Sequence, residues 1–439
     1  AGPLAHTYSI VARDPETGMP SADLGLFRLR LTTGILVALA LISGLGISLR
    51  GALSLLRAPE GGILGGAFIA GGWPAGVGIL LRYQGLSVVM PILFFLLGLL
   101  VLIHAIAEGE RRPVFFGVYA ISLGGMVGVV LSADLFNLFV FFEVLSLSAA
   151  MLIAYDRTLP AMQAAFRYLL MVTLSISLYL LGLFMLYRLT GELSFSAVAA
   201  HLDGSSSGGE WRLAMVLLFG ALATRVALVP FHGWLPEAHG HAPTAVSALL
   251  SGLMLKAGFV ASWQLLQIFP GSGHWELLAW TGALSALIGA GAALLQEDAK
   301  GLLAFSSISQ LGYIAAAAGA GALAASFYHL LSHALYKTLL FLIVGVWVHR
   351  WGLRSIDGLR EKLRAPAGTG GSDIVERALL LLGVAAIIGL PPFSAFVSKG
   401  LMTELMKGSP VYPIIQLAGV LTAAARSEER RVGKECATG

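Results

Sequence analysis

The sequence is poor in charged residues and in cysteine, and each shortage excludes a class of protein. Only 12% of its 439 residues are Asp, Glu, Lys or Arg, whereas soluble domains carry about 25%. So little charge cannot keep a soluble particle of this size wetted, and a hydrophobic content of 57% indicates lipid instead. The single cysteine, Cys436, excludes a disulfide framework within the chain.

Other signals are equally scarce. No basic patch with interleaved aromatic residues is present, which argues against a nucleic-acid partner. No flavin, haem or iron–sulfur ligand pattern occurs, so we expect no cofactor and no redox chemistry in this chain. Residues 1–20 are polar and contain Asp14, Pro15 and Glu16, which does not fit a cleavable signal peptide.

What the sequence has instead is a series of long apolar segments. A membrane core requires about 20 apolar residues per helix, and about twelve segments qualify, the last of them cut short. We therefore predict an all-α polytopic membrane protein. The Gly- and Pro-rich stretch 59–85 is predicted to form a surface hairpin or loop. The predicted spans are 31–49, 86–106, 113–131, 133–154, 163–187, 213–229, 244–269, 276–295, 301–320, 323–348, 376–405 and 411–425.

Basic residues are distributed unevenly between the loops. The loops that contain Arg112, Arg157, Lys300 and residues 350–377 fall on one side of the predicted bundle, which the positive-inside rule makes cytoplasmic. The loop 188–212 carries two arginines on the other side and is the exception.

Both termini look foreign to the membrane portion. Residues 1–30 are interpreted as a separate N-terminal segment. The charge run after Ala425 resembles an in-frame translation of a sequencing adapter, and each charge at the centre of a span costs about 2.5–3.5 kcal/mol. We expect residues 426–439 to be an artefact; the alternative is a real charged tail after a short final helix.

Ionisable residues inside the predicted spans are the candidates for function, because such groups are costly in a membrane. They are spread over separate spans, and three of them follow one another at i, i+4 and i+8, along one stripe of a helix. Groups of this kind can form a lateral line of titrating sites that relays protons. The set is Glu143, Arg225, Lys256, His329, His333, Lys337 and Lys399.

The candidates also have plainer interpretations. Glu143 could serve only as an ion-pair partner, and Lys256 could extend its amine towards the membrane surface. A lone buried histidine is more often a satisfied core residue. Lys300 opens its segment beside Glu297 and Asp298 and is interpreted as an interfacial anchor.

Two spans are predicted to be broken, one at Pro230 and Pro236 and the other at Pro391 and Pro392, because proline removes a backbone hydrogen bond. Paired breaks in the two halves of a chain indicate inverted repeats with the ion path between them. A polar loop follows the first break and is predicted to close the inner end of that path, a metal site there being a weaker alternative. Its polar residues are His232, Glu237, His239 and His241.

Five motifs follow one another along roughly residues 60–425: DLFNLFVFFEVL, RVALVPFHGWLPEAHGHAPTAVSALLSGLMLK, EDAKGLLAFSSISQLGY, HLLSHALYKTLLF and GLPPFSAFVSKG. Together they resemble the antiporter-like subunits of respiratory complex I, the D-type subunit of Mrp sodium/proton antiporters and subunits of membrane-bound hydrogenases. The resemblance implies a bundle of fourteen helices with two inverted five-helix repeats, each with broken helices.

The resemblance also implies roles for the candidates. Glu143 matches the buried glutamate of the fifth family helix, and Lys256 matches the lysine of the eighth. The central relay and the terminal lysine of the broken twelfth helix would be His329, His333, Lys337 and Lys399.

One position departs from the family pattern. The lysine expected on the seventh helix is Arg225 here, and arginine stays protonated at physiological pH. The hypothesis is that a permanent Glu143–Arg225 pair gates the first half and that Lys256 is the nearest titrating group.

The resulting prediction is a subunit that translocates protons, or exchanges Na⁺ for H⁺, within a multisubunit complex in the inner (plasma) membrane. Its partners would be other membrane subunits and lipid, in an assembly of the NADH:quinone oxidoreductase, hydrogenase or Mrp antiporter type. The alternatives are an independent transporter of a small solute and a passive scaffold within a redox complex. The predicted parts are 1–30, an N-terminal segment; 31–110, N-terminal helices and hairpin; 111–270, the first repeat; 271–425, the second repeat, truncated; and the tail 426–439.

Overall fold

The fold comes from a computed structural model of the chain. It describes residues 21–423, with gaps at 57–65, 71–77, 84, 111, 205–209, 270, 272 and 365–370. The predicted artefact tail and the first twenty residues of the predicted N-terminal segment therefore lie outside the described residues.

The described residues are almost all helical, which follows from their apolar composition, because a helix satisfies its own backbone hydrogen bonds in lipid. The elements are α1 (Ser21–Leu56), β1 (Gly66–Ala70), β2 (Ile79–Tyr83), α2 (Leu86–Ala107), α3 (Pro113–Leu131), α4 (Leu135–Ile153), α5 (Leu159–Thr190), α6 (Phe195–Gly204), α7 (Glu210–Arg225), α8 (Trp234–His241), α9 (Thr244–Leu249), a π-helical turn (Leu250–Met254), α10 (Leu255–Leu266), α11 (Gly273–Leu294), α12 (Ala299–Gly319), α13 (Leu323–Trp351), α14 (Ile356–Arg364), α15 (Gly371–Ile388), α16 (Ser394–Leu405) and α17 (Tyr412–Ala423).

Nine spans among the described residues are long and apolar enough to cross a membrane, α9, the π-helical turn and α10 together counting as one. The other three predicted spans correspond to shorter or interrupted helices: 213–229 to α7, 376–405 to α15 and α16, and 411–425 to α17. The all-α polytopic class is confirmed, and the count of twelve stays a prediction.

Both predicted breaks are present. The first separates α7 from α8 at residues 226–233 and includes Pro230, and the second separates α15 from α16 and includes Pro391 and Pro392. Pro236 was expected to interrupt the helix as well, and this was wrong. It lies in the first turn of α8, where the missing N–H has no intrahelical partner to lose.

The direction of the helices defines two faces of the bundle. We call the side with the β1–β2 hairpin the hairpin face; there Leu81 bridges Ser132 and Asp134 bridges Ser194. We call the opposite side the basic face; it carries Arg112 and the Arg354–Asp298 ion pair. The broken helix α7–α8 runs towards the basic face and α15–α16 runs away from it, which is the relation that inverted repeats require.

The stretch predicted as a surface hairpin is two antiparallel strands, in which Phe68 pairs with Leu81. The Phe68 side chain is 65% exposed, in keeping with a surface element. Backbone contacts fix this hairpin to the bundle, since the N–H of Ala133 donates to the Leu80 carbonyl at 3.0 Å.

The span Thr244–Leu266 forms the centre of the bundle. Every one of its residues is buried except Gln264, which is half-buried. A helix so enclosed by protein can carry polar groups that lipid would exclude.

Helices α11 and α12 pack backbone against backbone. A Cβ atom added to Gly282, Gly289, Gly312 or Gly319 would collide with main-chain atoms of the facing helix. Small residues permit such close approach in membranes. The pair therefore presents α12 to the interior along a fixed line.

Candidate functional site

The first charged contact of the interior joins α4 to α7. Arg225, the last residue of α7, places its Nη2 3.5 Å from Oε1 of Glu143, which lies midway along α4. The guanidinium side chain is 6% exposed, whereas the carboxylate side chain is 36% exposed. The pair expected from the sequence is therefore present, with the arginine as its buried member.

Several other groups hold the guanidinium in place. Nη1 of Arg225 donates to Oγ of Ser146 and, at 3.4 Å, to the carbonyl of Phe142. The guanidinium carbon lies 5.1 Å from the centroid of the Phe142 ring. The side chain of Tyr168 interacts with both Ser146 and Arg225. Arg225 thus has a fixed, multiply contacted position at the point where α7 ends.

Lys256 lies just beyond the π-helical turn of the central span. Its Nζ donates to the carbonyl of Ser251, inside that turn. A π-helical turn displaces backbone carbonyls from the usual i−4 pattern and is common at functional sites. Here the displaced backbone offers an acceptor to an amine that is completely buried.

A hydroxyl bridge connects this lysine to α12 and α13. Oγ of Ser251 lies 3.0 Å from Oγ of Ser307, which donates to the Leu303 carbonyl at 2.9 Å. Nζ of Lys337 donates to the same carbonyl at 2.9 Å. Lys256 and Lys337 are therefore connected through two serine hydroxyls and one backbone carbonyl.

Beyond Lys337 the line continues along α13 towards α16. The ring centroid of His333 lies 6.5 Å from that of His329. Nδ1 of His329 lies 2.8 Å from Oγ of Ser398, the neighbour of Lys399 in the sequence. Nζ of Lys399 donates to the carbonyl of Ile387, at the end of α15. The second break thus supplies an acceptor to the last lysine.

His333 differs from its neighbour on the stripe. It is completely buried, and neither of its ring nitrogens has a hydrogen-bond partner among the residues that the structure describes. Buried polar atoms of this kind are ordinarily satisfied by water. A proton can therefore pass between Lys337 and His329 only if water or a rotation of the ring completes the connection.

The polar loop residues do not form one group. Glu237 pairs with Arg167 on the outside of the bundle, and His232 is half-buried. His239 is completely buried, with its ring stacked on Phe341 at a centroid distance of 4.4 Å. Within the described part of the chain, no three His, Cys, Asp or Glu side chains converge as metal ligands.

His239 lies between the lysines. Lys300, Lys337 and Lys256 are all close enough to act on its ring electrostatically. The ring therefore stands where the basic face meets the buried line, and this fits the predicted role of the loop at the inner end of the path.

A cavity of about 940 Å³ opens at the basic face. Lys300 lines it and is buried, its Nζ donating to the carbonyl of Ala242 at 3.0 Å. The interpretation of Lys300 as an interfacial anchor was wrong, because the end of α8 offers its amine an acceptor inside the bundle. Charged and titratable residues around this cavity are Glu108, Glu110, Arg112, Asp156, His241, Lys300, His349 and Arg354.

Two groups at this cavity have shifted pKa values. Burial lowers the pKa of His241 below its ordinary 6.5, and the charge of Arg354 lowers it further. Burial alone would raise the pKa of Glu110, but its hydrogen bonds and ion pair with Arg112 outweigh burial and lower the pKa below 4.5. The cavity therefore contains a neutral imidazole and an ionised carboxylate at neutral pH.

A second cavity, of about 380 Å³, opens at the hairpin face. Ser87, Ser132, Trp263 and Gln264 are among the residues that line it. The central span thus meets one cavity at each of its ends.

Comparison with families of known proteins matches residues 132–424 to the family described as NADH:quinone oxidoreductase/Mrp antiporter, TM. The chain belongs to this family. Membership confirms the resemblance carried by the five motifs, and it makes the chain a multi-pass membrane protein.

Individual relatives come from two kinds of complex. The chain is 33% identical over 348 residues to NADH-quinone oxidoreductase subunit N of Desulforudis audaxviator, covering 76% of this chain and 67% of the relative. It is 33% identical over 359 residues to the A-type Na(+)/H(+) antiporter subunit of Alkalihalophilus pseudofirmus, again covering 76% of this chain but only 44% of the relative. The chain thus spans less than half of that antiporter protein.

A solved structure shares the fold over nearly the whole chain. The Mrp complex from Dietzia sp. DQ12-45-1b contains a chain that superimposes with a TM-score of 0.82 at 25% identity, covering 95% of this chain and 77% of that one.

The structure gathers the candidates of this family member into two groups. Glu143 and Arg225 form one, and the lysines and histidines of α10, α13 and α16 form the other. The sequence interpretation missed Ser251, Ser307 and the carbonyl of Leu303, which connect Lys256 to Lys337. The serines of AFSSISQ were the available signal, because hydroxyls on a buried membrane helix need partners.

Proposed function

We propose that this chain is the ion-conducting subunit of a multisubunit membrane complex and that it carries protons along the buried line from Lys256 to Lys399. Within that line, Lys256, Lys337, His333, His329 and Lys399 are the titrating groups. Ser251, Ser307 and Ser398 connect them.

The observation that carries this proposal is the hydrogen-bonded connection between Lys256 and Lys337. Two completely buried amines lie close enough to interact electrostatically and share a chain of hydroxyl and carbonyl acceptors. A purely structural role would gain nothing from placing two such costly groups together. A relay requires it, since a proton on one amine raises the cost of a second proton on the other.

The Glu143–Arg225 pair has a different role in this proposal. Arg225 does not release a proton at physiological pH, so the pair sets the local charge and Glu143 alone can titrate. Because the backbone of Arg225 packs against Gly258, two residues after Lys256, a change at the pair can reach the first lysine of the line.

The test is proton movement in membrane vesicles that contain the assembled complex. We expect Lys337→Ala to abolish proton movement and Glu143→Ala to impair it severely, with the complex still assembled. Lys362→Ala is the matched control, because this lysine is exposed on α14, and it should behave as wild type. Normal proton movement in the assembled Lys337→Ala variant would falsify the proposal and favour a scaffold role.

A second candidate is exchange of Na⁺ for H⁺, which the names of the antiporter relatives favour. Repeating the assay with Na⁺ replaced by choline separates the two: a proton carrier keeps its rate, whereas an exchanger loses it. An independent solute transporter predicts a substrate pocket at the midplane. Both large cavities described above open at the faces instead.

Finer assignments belong to the same proposal. The partners would be further membrane subunits, as in an Mrp or NADH:quinone oxidoreductase complex, and these would supply the energy. The location would be the inner (plasma) membrane, with the basic face in the cytoplasm. Residues 111–270 and 271–425 would form the two inverted repeats.

A further inference from the structure

We propose that the first half contains a second proton route, which crosses the membrane through Lys256 and reaches the hairpin face through the cavity beside Trp263 and Gln264. This inference rests on the proposed function and deepens it, because it gives Lys256 an exit of its own in addition to the lateral line towards Lys337.

The central span connects the two cavities. Thr244 and Ala245 line the cavity at the basic face, and Trp263 and Gln264 line the cavity at the hairpin face. At about 1.5 Å per residue, Lys256 lies about 18 Å from Thr244 and about 10 Å from Trp263 along the axis. Lys256 is the only ionisable residue from Thr244 to Leu266. It is therefore the one group on this span that can take a proton from either side.

The hairpin-face cavity ends in polar groups that the protein leaves unsatisfied. Nε2 of Gln264 donates to Oγ of Ser87 at 3.1 Å and to the carbonyl of Val130 at 3.2 Å. Oε1 of Gln264 and Nε1 of Trp263 are buried and have no hydrogen-bond partner among the described residues. A donor and an acceptor beside a polar cavity of this size are groups that water satisfies. Water therefore extends from the hairpin face to the level of Trp263.

The lining of this cavity favours water over a bound metal cation. Its one charged residue is Arg82, and none of the lining residues is a carboxylate. Hard cations are ordinarily held by carboxylate and carbonyl oxygens together, and a neighbouring guanidinium opposes them. The ligand class is thus water and the proton it carries.

A short aromatic barrier separates this water from Lys256. The indole of Trp263 contacts Phe259 edge-on at a centroid distance of 5.5 Å and Phe327 at 6.2 Å. In the described arrangement Nζ of Lys256 donates to the Ser251 carbonyl, on the side of the basic face. Rotation of one lysine side chain and one indole would join the amine to the cavity, which gives the route a closed state and an open state.

The first test is the accessibility of single cysteines in the assembled complex. With Cys436→Ser as background, Gln264→Cys is compared with Ser307→Cys, a buried position on the lateral line. A membrane-impermeant thiol reagent added at the hairpin face should label Gln264→Cys at least about tenfold faster, because a thiolate forms readily only where water reaches it. Equal rates at the two positions would overturn the inference.

The second test removes the barrier. Trp263→Ala should raise the passive proton leak of vesicles several-fold, and adding Lys256→Gln to it should return the leak to the wild-type level. A leak that persists without Lys256 contradicts the route, since the protons would then bypass the lysine. If Trp263→Ala does not assemble, the labelling result decides alone, because it requires no change at Trp263.

The two proposals fail in different ways. If Lys337→Ala moves protons normally while Gln264→Cys is labelled, the lateral relay fails and the water-filled cavity remains. If the relay variants behave as expected and Gln264→Cys is not labelled, only the route to the hairpin face is lost.

Discussion

The two halves of this family member solve the problem of buried charge differently. In the first half, Arg225 neutralises Glu143 directly, and the carboxylate keeps a partly exposed surface. In the second half, a backbone carbonyl and a hydroxyl of α12 hold the buried amine of Lys337. One half therefore has a charge pair with a permanently protonated member, and the other has amines and imidazoles that can exchange protons.

The contrast explains why an arginine is tolerated at one site. A guanidinium satisfies a position that needs constant charge, whereas a position in a relay must lose its proton in each cycle. If this comparison is correct, the two halves respond in opposite ways to exchanges between lysine and arginine.

The sharpest way to break the comparison is Lys337→Arg. This change keeps the charge but prevents release of the proton, so we expect proton movement to fall on the order of 100-fold, the size of effect usual for loss of an acid–base group. Vesicle assays normalised to the amount of assembled complex measure it. Activity near wild type would mean that the second half also needs only fixed charge.

The converse exchange, Arg225→Lys, should have a smaller effect. We expect assembly to be kept and the coupling between driving reaction and proton movement to change, because the new amine can lose its proton. Arg225→Ala should reduce proton movement about tenfold or more, since an unpartnered carboxylate within a span is costly. If Arg225→Ala pumps normally, the charge pair has no role in gating.

The hydroxyl bridge gives a finer test of the second half. Ser307→Ala removes the link between Ser251 and the Leu303 carbonyl, and a lost hydrogen bond of about 1 kcal/mol corresponds to a rate reduced about fivefold. Ser309→Ala is the matched control, because its hydroxyl donates to Ala286 on α11 instead. Equal effects of the two changes would indicate a packing defect rather than a broken relay.

The smallest expected effect concerns the basic-face cavity and serves as a control outside both halves of the relay. The pKa of Glu110 is lowered in the folded state, so its stabilising contribution is present above pH 4.5 and is lost as the pH falls through the folded-state value. Arg112→Gln removes the cause of the lowering and should abolish this contribution, by less than about 1 kcal/mol for such an exposed pair. Thermal unfolding in detergent between about pH 3 and 7 would be compared for the two proteins; identical profiles would contradict the assignment.

The sequence was informative wherever a single helix carries the information. Apolar length predicted the spans, proline predicted both breaks, and the i, i+4, i+8 spacing placed His329, His333 and Lys337 on one stripe. The cost of ionisable groups in lipid singled out Glu143 and Arg225, and their opposite charges suggested a pair before any distance was known.

Relations between helices could not be obtained in this way. Periodicity gives the face of a helix but not the distance to the next one, so the bridge from Ser251 to Ser307 was not foreseen. The π-helical turn before Lys256 has no proline or glycine break at its start to signal it. The burial of Lys300 depends on a carbonyl at the far end of α8, and no local pattern around Lys300 contains that contact.

The backbone contact between α11 and α12 determines where this molecule can move. With no side chains between the two helices at the four glycines, neither can slide or tilt against the other without steric collision. Leu303, Ser306 and Ser307 are carried on that stiff wall. Any cycle of proton uptake and release must therefore be carried by moving parts opposite the wall, namely the lysine side chains, the histidine rings and the π-helical turn, while the acceptors on α12 remain stationary.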